Sequence, residues 1–295
     1  IPSAMCGLFG IKASQGRVPR RDESINNWHP ISFSNVGPLT RDVRDAAIML
    51  QVLAGPSPDS EPVVINEPAP DFVSALSADL SEKRIAWSPD LGGAPVDPEI
   101  RTAAENAARS FQSLGATVED AEYKLGDFEE VFHTFETSWR SRSYAVNGHL
   151  LENHRDELTD YFVEGLEGGK VTTGAELWLA EAHINRYRRY ASDFFSNFDL
   201  LITPSLASTA FPINQHPESL DGRTVAHKLW GFTPFTYPFN MTGNPAATVP
   251  IGLAANGLPM GIQIVGAFGD EPGVFAASAA FEAAHPWTNL KPPVS

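Results

Sequence analysis

The sequence predicts an α/β protein in which a mixed central β-sheet is wrapped by α-helices, as one domain over residues 1–295. Three observations carry this. A strand, a helix and a second strand follow one another between Arg84 and Glu119, the order of a parallel βαβ unit. Two apolar strands near the end are joined through Asn256-Gly257, a strong hairpin signal. Between these lies a long stretch, residues 127–197, of mostly helical pattern.

Taken in order, residues 1–11 are apolar and read as a strand or tight loop, with Gly7 and Gly10 marking close backbone approach. A polar loop containing the Trp28-His29 pair runs to about Leu39. A helix follows. Thr40 is the predicted N-cap and Asp42 sits in the first turn, where the helix dipole favours an anion. Val43, Ala46, Ala47 and Leu50 share one face, and Gly55-Pro56 ends the pattern. Residues 56–70 are proline-rich and read as a surface connection.

Arg84–Trp87 is a predicted strand. Asp97-Pro98 supplies a cap and a first-position proline for the next helix. Its inward face is Ile100, Ala103, Ala104, Ala107, Phe111 and Leu114, and Gly115 stops it. Thr117–Glu119 returns as a strand. Thr173 and Glu176 form a capping box opening a long helix toward Asn197. Asp199–Thr203 reads as a buried strand ended by Pro204. Ala246–Ile251 and Met260–Val265 form the hairpin, and Asp270 caps a last helix over Pro272–Ala284.

Composition narrows the function. The chain has 295 residues, 42% of them hydrophobic, enough for a large buried core. A net charge of −15 argues against nucleic-acid binding, which needs a basic footprint. No apolar run is long enough to predict a membrane span. Cys6 is the one cysteine, so neither an internal disulfide nor a cysteine-based zinc cage is expected. It fits a reducing compartment, and a cytoplasmic location is the expectation. The eight histidines form no metal-ligand spacing, so no metal and no cofactor are expected. Gly-x-Ser-x-Gly is absent.

Four ordered segments carry a resemblance. The first is Ile1-Pro2-Ser3-Ala4-Met5-Cys6-Gly7 with Gly10-Ile11-Lys12 and Gly16-Arg17. The second is Gly37-Pro38-Leu39-Thr40-Arg41 with Val43 and Asp45-Ala46-Ala47. Asp199-Leu200-Leu201-Ile202-Thr203-Pro204 is the third. The fourth is Asn240-Met241-Thr242-Gly243-Asn244-Pro245-Ala246, continuing through Val249-Pro250, Gly257-Leu258-Pro259, Gly261-Ile262-Gln263 and Val265-Gly266. Together they resemble the amidase signature family over nearly the whole chain.

The resemblance implies hydrolysis of a carboxylic acid amide by a serine nucleophile, a second serine on a cis peptide and a lysine base. A serine hydroxyl needs such a base, and the oxyanion it generates needs fixed donors. By the family motif the nucleophile lies three positions before Ile1, and the oxyanion loop, bridging serine and lysine lie further upstream. No catalytic residue is therefore assigned within residues 1–295. The expected partners are the amino-terminal portion of the same amidase, with a separate chain as one option, a small-molecule amide and, as a further option, a second copy forming a homodimer. The isolated chain is expected to be inert and to need its complementary piece. Two alternatives stand beside this: an inactive amidase-like binding or assembly subunit, and the amidase subunit of a tRNA-dependent amidotransferase.

The substrate-pocket candidates are Cys6, Trp230, Phe235, Tyr237, Phe239 and Asn240. An apolar wall with a few polar groups suits a small molecule, though aromatics at this density also suit a core. Cys6 reads either as pocket wall or as a small buried hydrophobe. Lys12 reads as a structural or surface ion-pair residue. Trp28-His29 is a weaker lid candidate. Arg186, Arg188 and Arg189 with Tyr187 and Tyr190 read as a solvated helix face with the two rings turned inward.

Overall fold

The computed structural model describes residues 1–19, 33–57, 65–213, 215–225, 227 and 230–290. Trp28-His29 lies outside the described residues. Ten helices and nine strands are formed among those described.

The chain opens on a short helix, α1 (Pro2–Cys6), where the sequence predicts a strand or loop. Pro2 stands at the helix start, where its fixed φ and missing N–H cost nothing. Gly7 ends it in the left-handed conformation at φ 63°, so the turn into β1 (Phe9–Lys12) requires a glycine. Gly10 serves a second close approach: a Cβ there would sit 2.7 Å from Ser3 Oγ.

Strand β2 (Leu39–Thr40) pairs antiparallel with β1. Thr40 therefore belongs to the sheet and does not cap α2 (Val43–Leu53). Asp42 is the cap, its Oδ1 accepting from the Asp45 N–H at 2.8 Å. The carboxylate satisfies an orphan donor and meets the positive end of the helix dipole, which a hydroxyl does less well. Val43, Ala46, Ala47 and Leu50 are all buried, as their spacing predicts.

A short helix α3 (Phe72–Ala75) precedes β3 (Arg84–Trp87), and α4 (Pro98–Ser110), capped by Asp97, leads to β4 (Thr117–Asp120). Strands β3 and β4 pair in parallel, so the predicted βαβ unit is present. The helical region contains α5 (Phe128–Asn147), α6 (Leu150–Asn153), α7 (Asp160–Val171) and α8 (Gly174–Phe194). Thr173 and Glu176 form both hydrogen bonds of the capping box on α8. Strand β5 (Leu200–Pro204) runs parallel to β3. A two-stranded ribbon, β6 (Ser219–Leu220) and β7 (Arg223–Thr224), lies outside the main sheet. Helix α9 (Tyr237–Thr242) leads into β8 (Ala246–Leu253) and β9 (Pro259–Gly266), and α10 (Glu271–Ala284) follows, capped by Asp270.

The main sheet has seven strands in the order β2-β1-β8-β9-β5-β3-β4. Pairing is parallel at β5-β3-β4 and antiparallel elsewhere, which makes the sheet mixed. One face carries the largest core: Phe9, Ile11, Ile85, Ile202, Ile262 and Ile264 pack against Val274, Phe275 and Phe281 of α10 and against α2 and α4. The opposite face carries Ala86, Leu201, Ala246 and Val265 under Tyr123, Ala191 and Phe239. Alternation along each strand divides the two sets.

A buried ion pair ties the beginning of the described chain to its last helix. Arg17 Nε donates to Glu271 Oε2 at 3.2 Å, and the Ser14 N–H donates to Glu271 Oε1 at 2.8 Å. Glu271 is fully buried and Arg17 nearly so.

Candidate active-site cavity

The alternation that buries Phe9 and Ile11 turns Gly10 and Lys12 to the sheet's other face. The register sets Gly10 opposite Thr248, Thr248 opposite Gln263, and Gln263 opposite Thr203. A polar row thus crosses four strands. Gln263 Nε2 donates to Thr203 Oγ1 at 3.2 Å and to the Phe235 carbonyl at 2.7 Å. Ser205 Oγ donates to Thr248 Oγ1 at 3.2 Å. Gly10, Thr248 and Gln263 floor a cavity of about 380 Å³.

Aromatic rings form one wall. Phe135 and Trp139 are four residues apart on α5, so they share a face. Trp230 meets Phe135 edge-on at 5.1 Å and Trp139 at 5.6 Å. Tyr237 stacks on Phe135 at 4.9 Å, and Phe33 lies 5.3 Å from the same ring. Such offset and edge-to-face contacts favour a rigid arrangement. Asn240, on the cavity side of α9, donates from Nδ2 to the Phe33 carbonyl and so fixes the Phe33 segment.

Further lining comes from Ile1, from Pro2 and Ser3 of α1, and from Gly37. A Cβ on Gly37 would lie 2.0 Å from the Ile11 carbonyl oxygen, so only glycine lets this segment approach β1. Lys12 contributes the one charged side chain of the lining among the described residues. Its Nζ donates to the Ala13 carbonyl at 3.0 Å and meets no carboxylate at bonding distance among the described residues. Burial pushes its pKa down to about 7, against the opposing pull of the Glu271 charge. Lys12 is therefore a cavity residue, not a surface ion-pair residue.

The sequence candidates separate cleanly. Trp230, Tyr237 and Asn240 line the cavity together. Phe235 and Phe239 do not reach it: both are fully buried, Phe235 against Ala94, Val96 and Ile100, and Phe239 beside Tyr123 and Leu201. Cys6 is exposed, neither pocket wall nor buried hydrophobe: it is the last residue of α1, whose buried residues are Ser3 and Ala4. Sequence reasoning missed Phe135, Trp139, Lys12, Thr248 and Gln263. The signals were present: the i, i+4 aromatic pair on α5, and the period-two pattern of Phe9-Gly10-Ile11-Lys12.

A family model described as amidase matches residues 1–275. The chain belongs to the amidase signature family. An acylamidase from Rhodococcus erythropolis is 35% identical over 298 residues, an alignment covering 99% of this chain and 60% of that protein. A glutamyl-tRNA(Gln) amidotransferase subunit from Brevibacillus brevis is 29% identical over 99% of this chain and 62% of its own length. Among solved structures, a bacterial aryl acylamidase of the amidase signature family superposes with a TM-score of 0.84 at 29% identity, covering 97% of this chain and 60% of that one. A 6-aminohexanoate cyclic dimer hydrolase complexed with substrate gives a TM-score of 0.83 at 26% identity, over 99% and 63%. The chain thus spans about 60% of the length of the relatives it matches. The α/β fold with its mixed sheet is that of the family. Among the described residues no group of three or more potential ligands could hold a metal, and no helix is long and apolar enough to cross a membrane.

Proposed function

We propose that this amidase-family chain is the pocket-bearing part of an enzyme hydrolysing a carboxylic acid amide with an aryl or similarly apolar group. The serine nucleophile, bridging serine and lysine base of this reading come from residues preceding Ile1. The observation that carries it is the cavity itself: Ile1–Ser3, five aromatic rings and a polar sheet floor line one space of about 380 Å³. In this reading a nucleophile three positions before Ile1 would be carried at the Ile1 rim of that space. The flat apolar group of the substrate rests among Phe33, Phe135, Trp139, Trp230 and Tyr237, which positions the amide carbonyl near the rim. The serine oxygen attacks the carbonyl carbon as its proton passes to the base. The tetrahedral intermediate collapses, the amine departs with a proton, and water releases the acid in a second round.

The relatives include both acylamidases and amidotransferase subunits. A wall of five rings suits an apolar group on the amide better than a wholly polar amide such as glutamine's, so in this reading transfer to water stands ahead of amidotransfer. The test uses the full-length protein with its preceding segment, assayed on 4-nitroacetanilide and on short alkyl amides. The anilide is expected to be preferred. Trp230→Ala should lower kcat/KM for the anilide roughly tenfold, the loss expected for about 1.4 kcal/mol of ring contact, and alkyl amides should change little. Absence of turnover on every amide would overturn the hydrolase reading in favour of a binding or assembly subunit.

A further inference from the structure

A second cavity, of about 390 Å³, lies where α8 passes the start of β8 and the turn after β9. It shares no lining residue with the first. Its principal feature is Arg188. The helix face on which it sits reads as solvated in the sequence, yet Arg186 and Arg189 are exposed and Arg188 turns inward. Its Nε donates to the Met241 carbonyl at 3.1 Å and its Nη2 to Gln15 Oε1 at 2.7 Å. Both acceptors are neutral, and no carboxylate pairs with Arg188 among the described residues. A guanidinium carries five donor N–H groups and no acceptor, so three donors and the full positive charge are uncommitted. Burial without an anion disfavours that charge and lowers the pKa of Arg188 from the ordinary arginine value.

The site is held rigidly. The Gln15 N–H donates to the Gly243 carbonyl at 2.9 Å. Gly243 adopts φ +84°, and a Cβ there would press on Gln15 and on Phe268. Buried Asn244 is anchored through Nδ2 to the Gly266 carbonyl at 2.9 Å. The remaining walls are apolar, chiefly Phe195 and Phe268, with Ser192 at the exposed rim.

We propose that this second cavity binds a small carboxylate with an apolar body, its carboxylate on the free edge of the Arg188 guanidinium and its body between Phe195 and Phe268. A planar fork of donors matches a carboxylate, and the two rings exclude a ligand that is polar throughout. The binding does not depend on the hydrolase reading above. It is tested on the full-length protein by titrating 3-phenylpropanoate, with 3-phenylpropan-1-ol as the uncharged control, in a calorimeter. Saturable binding of the acid is expected, weaker at high salt, with the alcohol at least tenfold weaker. Arg188→Gln and, separately, Ser192→Trp, which fills the exposed rim beside Arg188 while keeping its charge, should each weaken the acid at least tenfold. Lys12→Met, which removes the cation of the first cavity, should leave it unchanged. Failure of the acid to bind, binding that survives both Arg188→Gln and Ser192→Trp, or binding lost in Lys12→Met would each overturn the proposal. If Arg188→Gln does not fold, the Ser192→Trp result decides.

Discussion

Lys12 shows how one side chain's place is set by strand parity. It follows the core residue Ile11 directly, yet it faces a cavity where its charge is poorly solvated, and its pKa falls to about 7. In the unfolded chain the same group titrates near the ordinary 10.5. Between those values the unfolded state binds more protons than the folded one, so this residue makes stability rise with pH from about 7 to about 10.5. Below pH 7 both states are protonated and the full cost is present. Lys12→Met should therefore raise the melting temperature at pH 7, and the gain should vanish as pH approaches 10.5. Equal melting-temperature differences at both pH values would contradict this. Glu271 presents the opposite case, a buried charge that is fully partnered. Glu271→Gln strands the Arg17 guanidinium in the interior, and about 3 kcal/mol of destabilisation is expected in urea titration. In the sequence, Trp230, Tyr237 and Asn240 were legible as cavity lining because a run of aromatics abuts a family motif. Phe235 and Phe239 belong to the same run but point into the core. Composition cannot separate the two sets; side-chain direction on α9 and the turn before it does.

At the scale of elements, local signals were readable wherever they repeat within a few residues. The caps at Asp97, Thr173 and Asp270 and the hairpin stand where their spacing placed them, and the predicted α4 face is buried at Ile100, Ala104 and Ala107, its end at Phe111–Leu114 tightening into a 3₁₀ turn. What was not readable is how helices from separate stretches meet. Helices α5 and α7 cross at a line of glycines. A Cβ on Gly169 would lie 2.1 Å from the Arg140 carbonyl oxygen, and one on Gly165 would lie 2.8 Å from the Trp139 ring. Nothing in Gly165-Leu166-Glu167-Gly168-Gly169 suggests a helix crossing when read alone, since glycine usually argues against helix. The crossing matters for the cavity because Trp139 is one of its rings. Gly169→Ala is expected to push α7 off α5, costing about 1–3 kcal/mol as overpacking does, and to lower anilide turnover through Trp139. A variant with wild-type stability and turnover would show that the crossing adapts freely.

For the molecule as a whole, the order of elements and the mixed sheet were legible, because the βαβ unit and the hairpin are each local. The closing of the sheet was not. Strand β1 sits between β2 and β8, with Gly10 opposite Thr248. No periodicity in the first twelve residues names a partner so distant. The Ser14–Glu271 hydrogen bond, which spans 257 residues of sequence, fastens the same closure.

That closure also sets a timetable. A ribosome delivers residues one after another, and the strand bearing Lys12 emerges long before β8 and α10. Its two sheet neighbours differ greatly in arrival: β2 follows soon, β8 and the carboxylate of Glu271 only near the end of synthesis. Until then the apolar side of β1, Phe9 and Ile11, has no completed core to enter. Contacts so far apart in sequence form slowly, and nascent chains with waiting apolar strands are the ones most exposed to association. The first strand of this chain thus waits through most of synthesis for its second neighbour, and the Glu271 carboxylate that fastens the segment after it arrives later still.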